Sequence, residues 1–140
     1  ELDIIRGAEE YIDNGKIIGV ELETVLLAKP CYENSNKLNQ VIDFFEEKNF
    51  EKINIQIFDL YSSSENTKNV KNFFPNECDV VFAPRPDIIK NYPLDIKISL
   101  AAFYYSYRLF NQICHIIDEN EDLKNWFMDK GINKTTLKNL

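Results

Sequence analysis

The tripeptide Pro84-Arg85-Pro86 constrains the fold of this chain more than any other feature. Proline has no amide hydrogen to give to a strand ladder, so two prolines one residue apart close a sheet that reaches them. Before them lie three short runs of strand type. Beyond Pro93 the apolar residues recur at helical spacing instead. The pattern predicts an α/β segment over residues 1–86 and a helical extension over residues 87–140.

In the first segment Leu2, Ile5, Ala8 and Ile12 predict a helix, with Asn14-Gly15 as its left-handed end. Ile17-Ile18-Gly19-Val20-Glu21-Leu22 is almost continuously apolar, as in a parallel strand covered on both faces, so a central strand is expected over Lys16–Glu23. Ser35 stands where it can cap a helix over Ser35–Lys48, whose inward stripe is Leu38, Val41, Ile42 and Phe45 and whose stop is Asn49. Strand Lys52–Leu60 alternates Ile53, Ile55 and Ile57 with Asn54 and Gln56. One face is then buried, and the other is partly wet or near the sheet edge. Tyr61–Glu77, with Phe73-Phe74 as its apolar anchor, reads as a mobile loop before the strand Asp79–Ala83. In the extension Ile98, Ala102, Tyr105, Leu109, Ile113 and Ile116 fall on one helical stripe. A further short helix begins at Leu123 and ends before Gly131.

Composition narrows the classes of function. The chain has 140 residues, 44% of them hydrophobic and 28% charged, which suits one ordinary globular core. Its net charge of -7 disfavours attraction to nucleic acid or anionic lipid. Cys31, Cys78 and Cys114 are odd in number and lack zinc-site spacing, so no metal and reduced thiols in a cytoplasmic protein are expected. Cys114 and His115, adjacent on a helix, point about 100° apart, which favours a buried thiol beside a surface imidazole over a nucleophile pair. The aromatic run Leu94–Ile117 is broken by Asp95, Lys97, Arg108, Asn111, Gln112 and His115, so no membrane span is expected.

A further set of residues carries a family resemblance. Glu1-Leu2-Asp3-Ile4-Ile5-Arg6-Gly7-Ala8 opens inside a helix, like the surviving end of a larger element. Val20-Glu21, the loop with Tyr32, a helix leading to the aromatic Phe50 and the strand Cys78-Asp79-Val80-Val81-Phe82 follow in order. Residues 1 to about 86 resemble the C-terminal half of an FkbM-type methyltransferase, one of a family of S-adenosylmethionine-dependent O-methyltransferases. The resemblance implies an α/β fold carrying the last three strands of a Rossmann-like methyltransferase sheet, the last one inserted antiparallel between the other two. It implies a bare edge on the first strand, whose upstream partner lies outside these residues. It also implies methyl transfer to a sugar, glycan or similar small polar acceptor. Enzymes of this kind hold S-adenosylmethionine at a glycine-rich turn, because only glycine lets the backbone approach so closely. With glycine only at Gly7, Gly15, Gly19 and Gly131, and no G-x-G, no cofactor-binding residue is expected here. The chain by itself is then an inactive fragment, its cofactor held mainly by a missing N-terminal half.

Ligands of open α/β sheets bind outside the carboxyl ends of the parallel strands, here Glu21–Thr24 and Asp59–Ser62. Glu21 is the candidate general base. Glu23, Tyr32 and Glu33 are candidates for the acceptor wall, and Arg85 for a phosphate or carboxylate. The plainer readings are a capping or solvated glutamate and an exposed structural arginine. Phe103, Tyr104, Tyr105, Tyr107 and Phe110 can stack on sugar, join two copies through the C-terminal helices, or simply pack a helix. Two alternatives stand beside the enzyme half. One is a non-catalytic α/β interaction or dimerisation module, expected to protect its strand edges. The other is a hydrolase with Glu21 and Glu23 paired on one strand face, their Cα atoms roughly 7 Å apart.

Overall fold

The structure, a computed structural model, describes residues 2–26, 36–58, 77–133 and 136–137. The chain divides into two compact units, Glu1–Ala83 and Pro84–Leu140, at the proline pair. Tyr61 to Asn76, Cys31, Tyr32, Glu33 and Ser35 lie outside the described residues.

The first unit is mixed α/β. Its elements are helices α1 (Leu2–Gly7) and α2 (Glu9–Asp13), strand β1 (Val20–Val25), helix α3 (Leu38–Glu47), and strands β2 (Phe50–Phe58) and β3 (Glu77–Pro84). The expected first helix is thus two, separated by a turn at Ala8 just after Gly7, a residue of low helix propensity. Its end is as expected: Gly15 has φ 67°, and the Gly15 and Lys16 amides donate to the carbonyls of Ile12 and Tyr11 at 3.0 and 2.9 Å. That cap also explains why the strand begins at Val20 and not at Lys16. The amides of Lys16 and Ile17 are both spent on Tyr11 O, so the apolar run Ile17-Ile18 enters as a connector.

The sheet order is β1-β3-β2, with β3 antiparallel to β1 in the register Val20↔Phe82, Leu22↔Val80, Thr24↔Cys78. The last strand in sequence is therefore the middle one, as expected. The expectation that the first strand is central and parallel is corrected: among the described strands β1 ends the order. Its residues alternate, with Glu21 and Glu23 exposed and Leu22 and Thr24 turned in. Outside it, Val25 bridges to Lys37 in parallel, and Asn36 acts as a knot. The Asn36 carbonyl accepts from Thr24 Oγ1 at 3.0 Å and from the Val25 amide at 3.4 Å, while its side-chain oxygen accepts from the Leu2 amide at 3.1 Å.

One core fills the space under the sheet: Leu2, Ile12, Val41, Phe45, Phe50, Val80 and Phe82. Phe45 stacks on Phe82 with ring centroids 4.3 Å apart, and Phe44 and Phe50 approach the same ring. Burial of one such phenyl group is worth about 2–3 kcal/mol, and the stack adds roughly 1. Helix α3 starts at Leu38 and not at Ser35; the Lys37 amide, which precedes its first turn, donates to Gln40 Oε1 at 2.9 Å. It stops where expected, at Asn49 with φ 61°. Lys48 then ties α3 to α2 by pairing with Glu9 and, at 3.1 Å, with Asp13. Strand β2 begins two residues earlier than expected, and the last two residues of its expected range, Asp59 and Leu60, lie outside the described residues. Ile53 and Ile55 are only half-buried and Ile57 is exposed, as suits the other end of the sheet. Every residue of β3 from Val80 to Ala83 is at most 2% exposed, on both faces.

The second unit is helical: α4 (Pro86–Ile89), α5 (Leu94–Ser106), α6 (Phe110–Glu119) and α7 (Glu121–Asp129), with α5, α6 and α7 packed on one another. The single stripe expected from Ile98 to Ile116 is corrected. The helix breaks at Tyr107-Arg108-Leu109, and the buried face of α5 is Lys97, Leu100, Ala101 and Tyr104, with Ala102 and Tyr105 exposed. Arg108 takes φ 58°, and the amides of Arg108 and Leu109 donate to Tyr105 O and Tyr104 O, both at 2.9 Å. This is the same cap that Gly131 makes on α7, built on a residue with a Cβ. Lys97, 4% exposed, donates to both oxygens of Asp122 at 3.0 and 2.9 Å and so clasps α5 to α7. The same ammonium holds the Asp122 carboxyl below the usual carboxylate range. Among the described residues no helix is long and apolar enough to cross a membrane.

A left-handed non-glycine residue is strained by roughly 1–2 kcal/mol, and the extra freedom of glycine in the unfolded chain takes back about half of that. Arg108→Gly is therefore expected to stabilise the protein by about 0.5 kcal/mol. A urea-unfolding midpoint unchanged or lowered in that variant would contradict the cap.

Candidate functional site

The residues singled out from sequence fall into both units. Glu21 and Glu23 stand two apart on β1, hence on one face, and both are exposed. The register adds a third carboxyl that sequence spacing does not show. Glu23 lies directly opposite Asp79, and Glu21 lies diagonally from it across β3. Asp79 is half-buried. Burial pushes its carboxyl above the ordinary range, and the negative charge of Glu21 adds to the effect. The row thus holds one carboxyl biased towards its protonated form beside two exposed ones, an arrangement that can exchange a proton with a hydroxyl. Both glutamates have further interactions of their own. Among the described residues no group of three or more His, Cys, Asp or Glu side chains is placed to hold a metal ion.

Tyr32 and Glu33, expected as the wall beside this row, lie outside the described residues, as do Asp59 to Ser62. Cys78, the neighbour of Asp79 on the opposite face, is fully buried, and burial pushes its thiol up. It is core, not nucleophile.

In the helical unit, Arg85 precedes α4 and turns its guanidinium onto Asp87, with Nε to Oδ1 at 3.0 Å and Nη2 to Oδ2 at 2.8 Å. This two-bond fork holds the Asp87 carboxyl below its usual range. Cys114 is half-buried and His115 exposed on α6. The aromatic cluster of α5 divides by face. Tyr104 is core at 1% exposure, Phe103 meets Tyr107 edge-on at 5.1 Å, and Tyr105 meets Phe110 edge-on at 5.9 Å while remaining 44% exposed. Ile98, Ala102 and Tyr105, expected to face the core, instead line a recess of about 310 Å³ with Trp126 and Phe127.

Three of the four glycines can be placed. Gly15 and Gly131 are spent as left-handed helix ends, and a Cβ on Gly7 would meet nothing within 4 Å. Compared with models of protein families, with curated proteins and with solved structures, the chain matches none.

A raised carboxyl binds its proton more tightly in the folded chain than in the unfolded one. On this account stability is greatest below the unfolded value, about 3.9, and falls as the pH rises through the folded value. Asp79→Asn removes the ionisation and is expected to raise the urea midpoint at neutral pH, with the gain vanishing in acid below that unfolded value. An equal gain at both pH values would show that charge is not the cause.

Proposed function

We propose that the first unit is the acceptor-side half of an S-adenosylmethionine-dependent O-methyltransferase of the FkbM type, acting on a sugar, glycan or similar small polar molecule. The observation that carries this reading is the strand order. Two strands joined through a helix receive the last strand between them, antiparallel to the first, as the resemblance implies for the end of such a Rossmann-like sheet. The acidic row on β1 and β3 supplies the polar wall, with Glu21 as the base that receives the acceptor hydroxyl's proton and Asp79 setting the local charge. On this reading the cofactor cradle belongs to residues outside these 140, because the sequence carries no G-x-G turn.

A second reading, a non-catalytic α/β interaction module, is favoured by the outer edge of β1. That edge is tied at Val25 by Asn36 and Lys37 and carries charged Glu21 and Glu23, devices by which a free-standing domain protects an edge.

The coding sequence on the 5′ side of Glu1 separates the two. The methyltransferase reading expects it to encode a strand followed by a glycine-rich turn. The whole encoded protein is then expected to transfer labelled methyl groups from S-adenosylmethionine to saccharides, with kcat lowered about 100-fold by Glu21→Gln. A whole protein that binds no S-adenosylmethionine excludes the methyltransferase and leaves the module.

A further inference from the structure

Helix α5 carries two adjacent alanines, Ala101 buried and Ala102 exposed, among larger Leu, Ile, Phe and Tyr side chains. Both alanines stop at Cβ, and the large rings of Trp126 and Phe127 on α7 border the same space. Small side chains on one helix and large rings on the other leave the recess of about 310 Å³, lined also by Ile113 of α6, Ile132 and Leu137. That volume is at the lower end of what small-molecule sites enclose. Among the described residues that line it none carries a carboxylate, ammonium, guanidinium or imidazole group; those with a polar side-chain atom are Thr136, Tyr105 and Trp126. Water in such a recess finds few partners, so an apolar molecule that displaces it gains free energy.

We propose that this recess is a binding site for an uncharged small molecule built on one or two aromatic or alicyclic rings. With no ionisable group other than a phenol among the described lining residues, an anion or cation is disfavoured, since a charge buried against them would go unpaired. The extent of apolar surface decides against a second copy of the chain. A stable dimer buries about 800 Å² on each partner. Among the described residues of this unit the exposed large apolar side chains are only Tyr105 and Met128, and Met128 is not in the recess. The inference is independent of the methyltransferase reading, because residues 87–140 have no counterpart in that resemblance.

Trp126 is the one tryptophan of the chain and borders the recess, so it reports on the site directly. Titration of the full chain with the uncharged dye N-phenyl-1-naphthylamine is expected to quench Trp126 and raise dye emission saturably, with a dissociation constant on the order of 10 μM. Ala102→Phe fills the recess from an exposed position, and Thr136→Arg puts a charge on another exposed position of its wall. Each is expected to weaken the dye at least about tenfold while circular dichroism stays unchanged. The sulfonated analogue 8-anilino-1-naphthalenesulfonate is expected to bind more weakly than the neutral dye. Absence of energy transfer, equal binding by both variants, or preference for the sulfonate overturns the proposal. Light scattering that shows a dimer, with Trp126 already shielded before dye is added, overturns it in favour of a second copy.

Discussion

The sheet unit depends on the insertion of β3 between β1 and β2. Before it arrives, the earlier residues hold two strands with no shared partner and a helix whose inward rings have only part of a surface to cover. Strand β3 supplies both missing things at once: backbone partners for two strands, and Val80 and Phe82 against Val41 and Phe45. Its burial on both faces follows from that position, and so does the half-buried state of its neighbours, each of which has one side at the end of the sheet. The pairing joins residues far apart in sequence, so this unit closes by a non-local step.

The helical unit is organised by local punctuation. Helices α5 and α7 stop where a left-handed residue turns the chain, and the Lys97–Asp122 clasp holds the first of the three packed helices to the last. An ammonium at 5% side-chain exposure is tolerated because both carboxylate oxygens meet it. The carboxylate remains 45% exposed, which keeps the clasp below the strength of a fully buried pair. Because Lys97 lies on the buried face of α5 together with Leu100, Ala101 and Tyr104, the clasp also fixes which face is left over. That remaining face, Ile98, Ala102 and Tyr105, borders the recess.

What sequence reasoning could read was whatever local chemistry decides. Asn14-Gly15, Asn49 and Gly131 announce left-handed helix ends because those residue types tolerate positive φ, and the proline pair announces the end of the sheet. Arg108 makes the same turn with no such announcement, so a two-helix segment reads as one stripe. The inward face of α5 was not legible either, since the helix is apolar on nearly all sides and periodicity has nothing to select. Val20 as the true start of β1 is hidden by the apolar Ile17-Ile18, and the preceding cap consumes the amides of Lys16 and Ile17. Within the acidic row, Glu21 and Glu23 are visible from strand period alone. Asp79 joins them only through a cross-strand register, which no local rule supplies.

The account rests on β3 as the middle strand, and amide hydrogen exchange in the full chain tests this most directly. A strand paired on both sides and buried on both faces opens only with its whole unit. The amides of Val80, Val81 and Phe82 are therefore predicted to be the slowest of the sheet, slower than those of Glu21 and Glu23 on β1 and of Ile57 on β2. Exchange at Val81 as fast as at Ile57 would contradict the strand order, and with it the observation on which the methyltransferase reading stands.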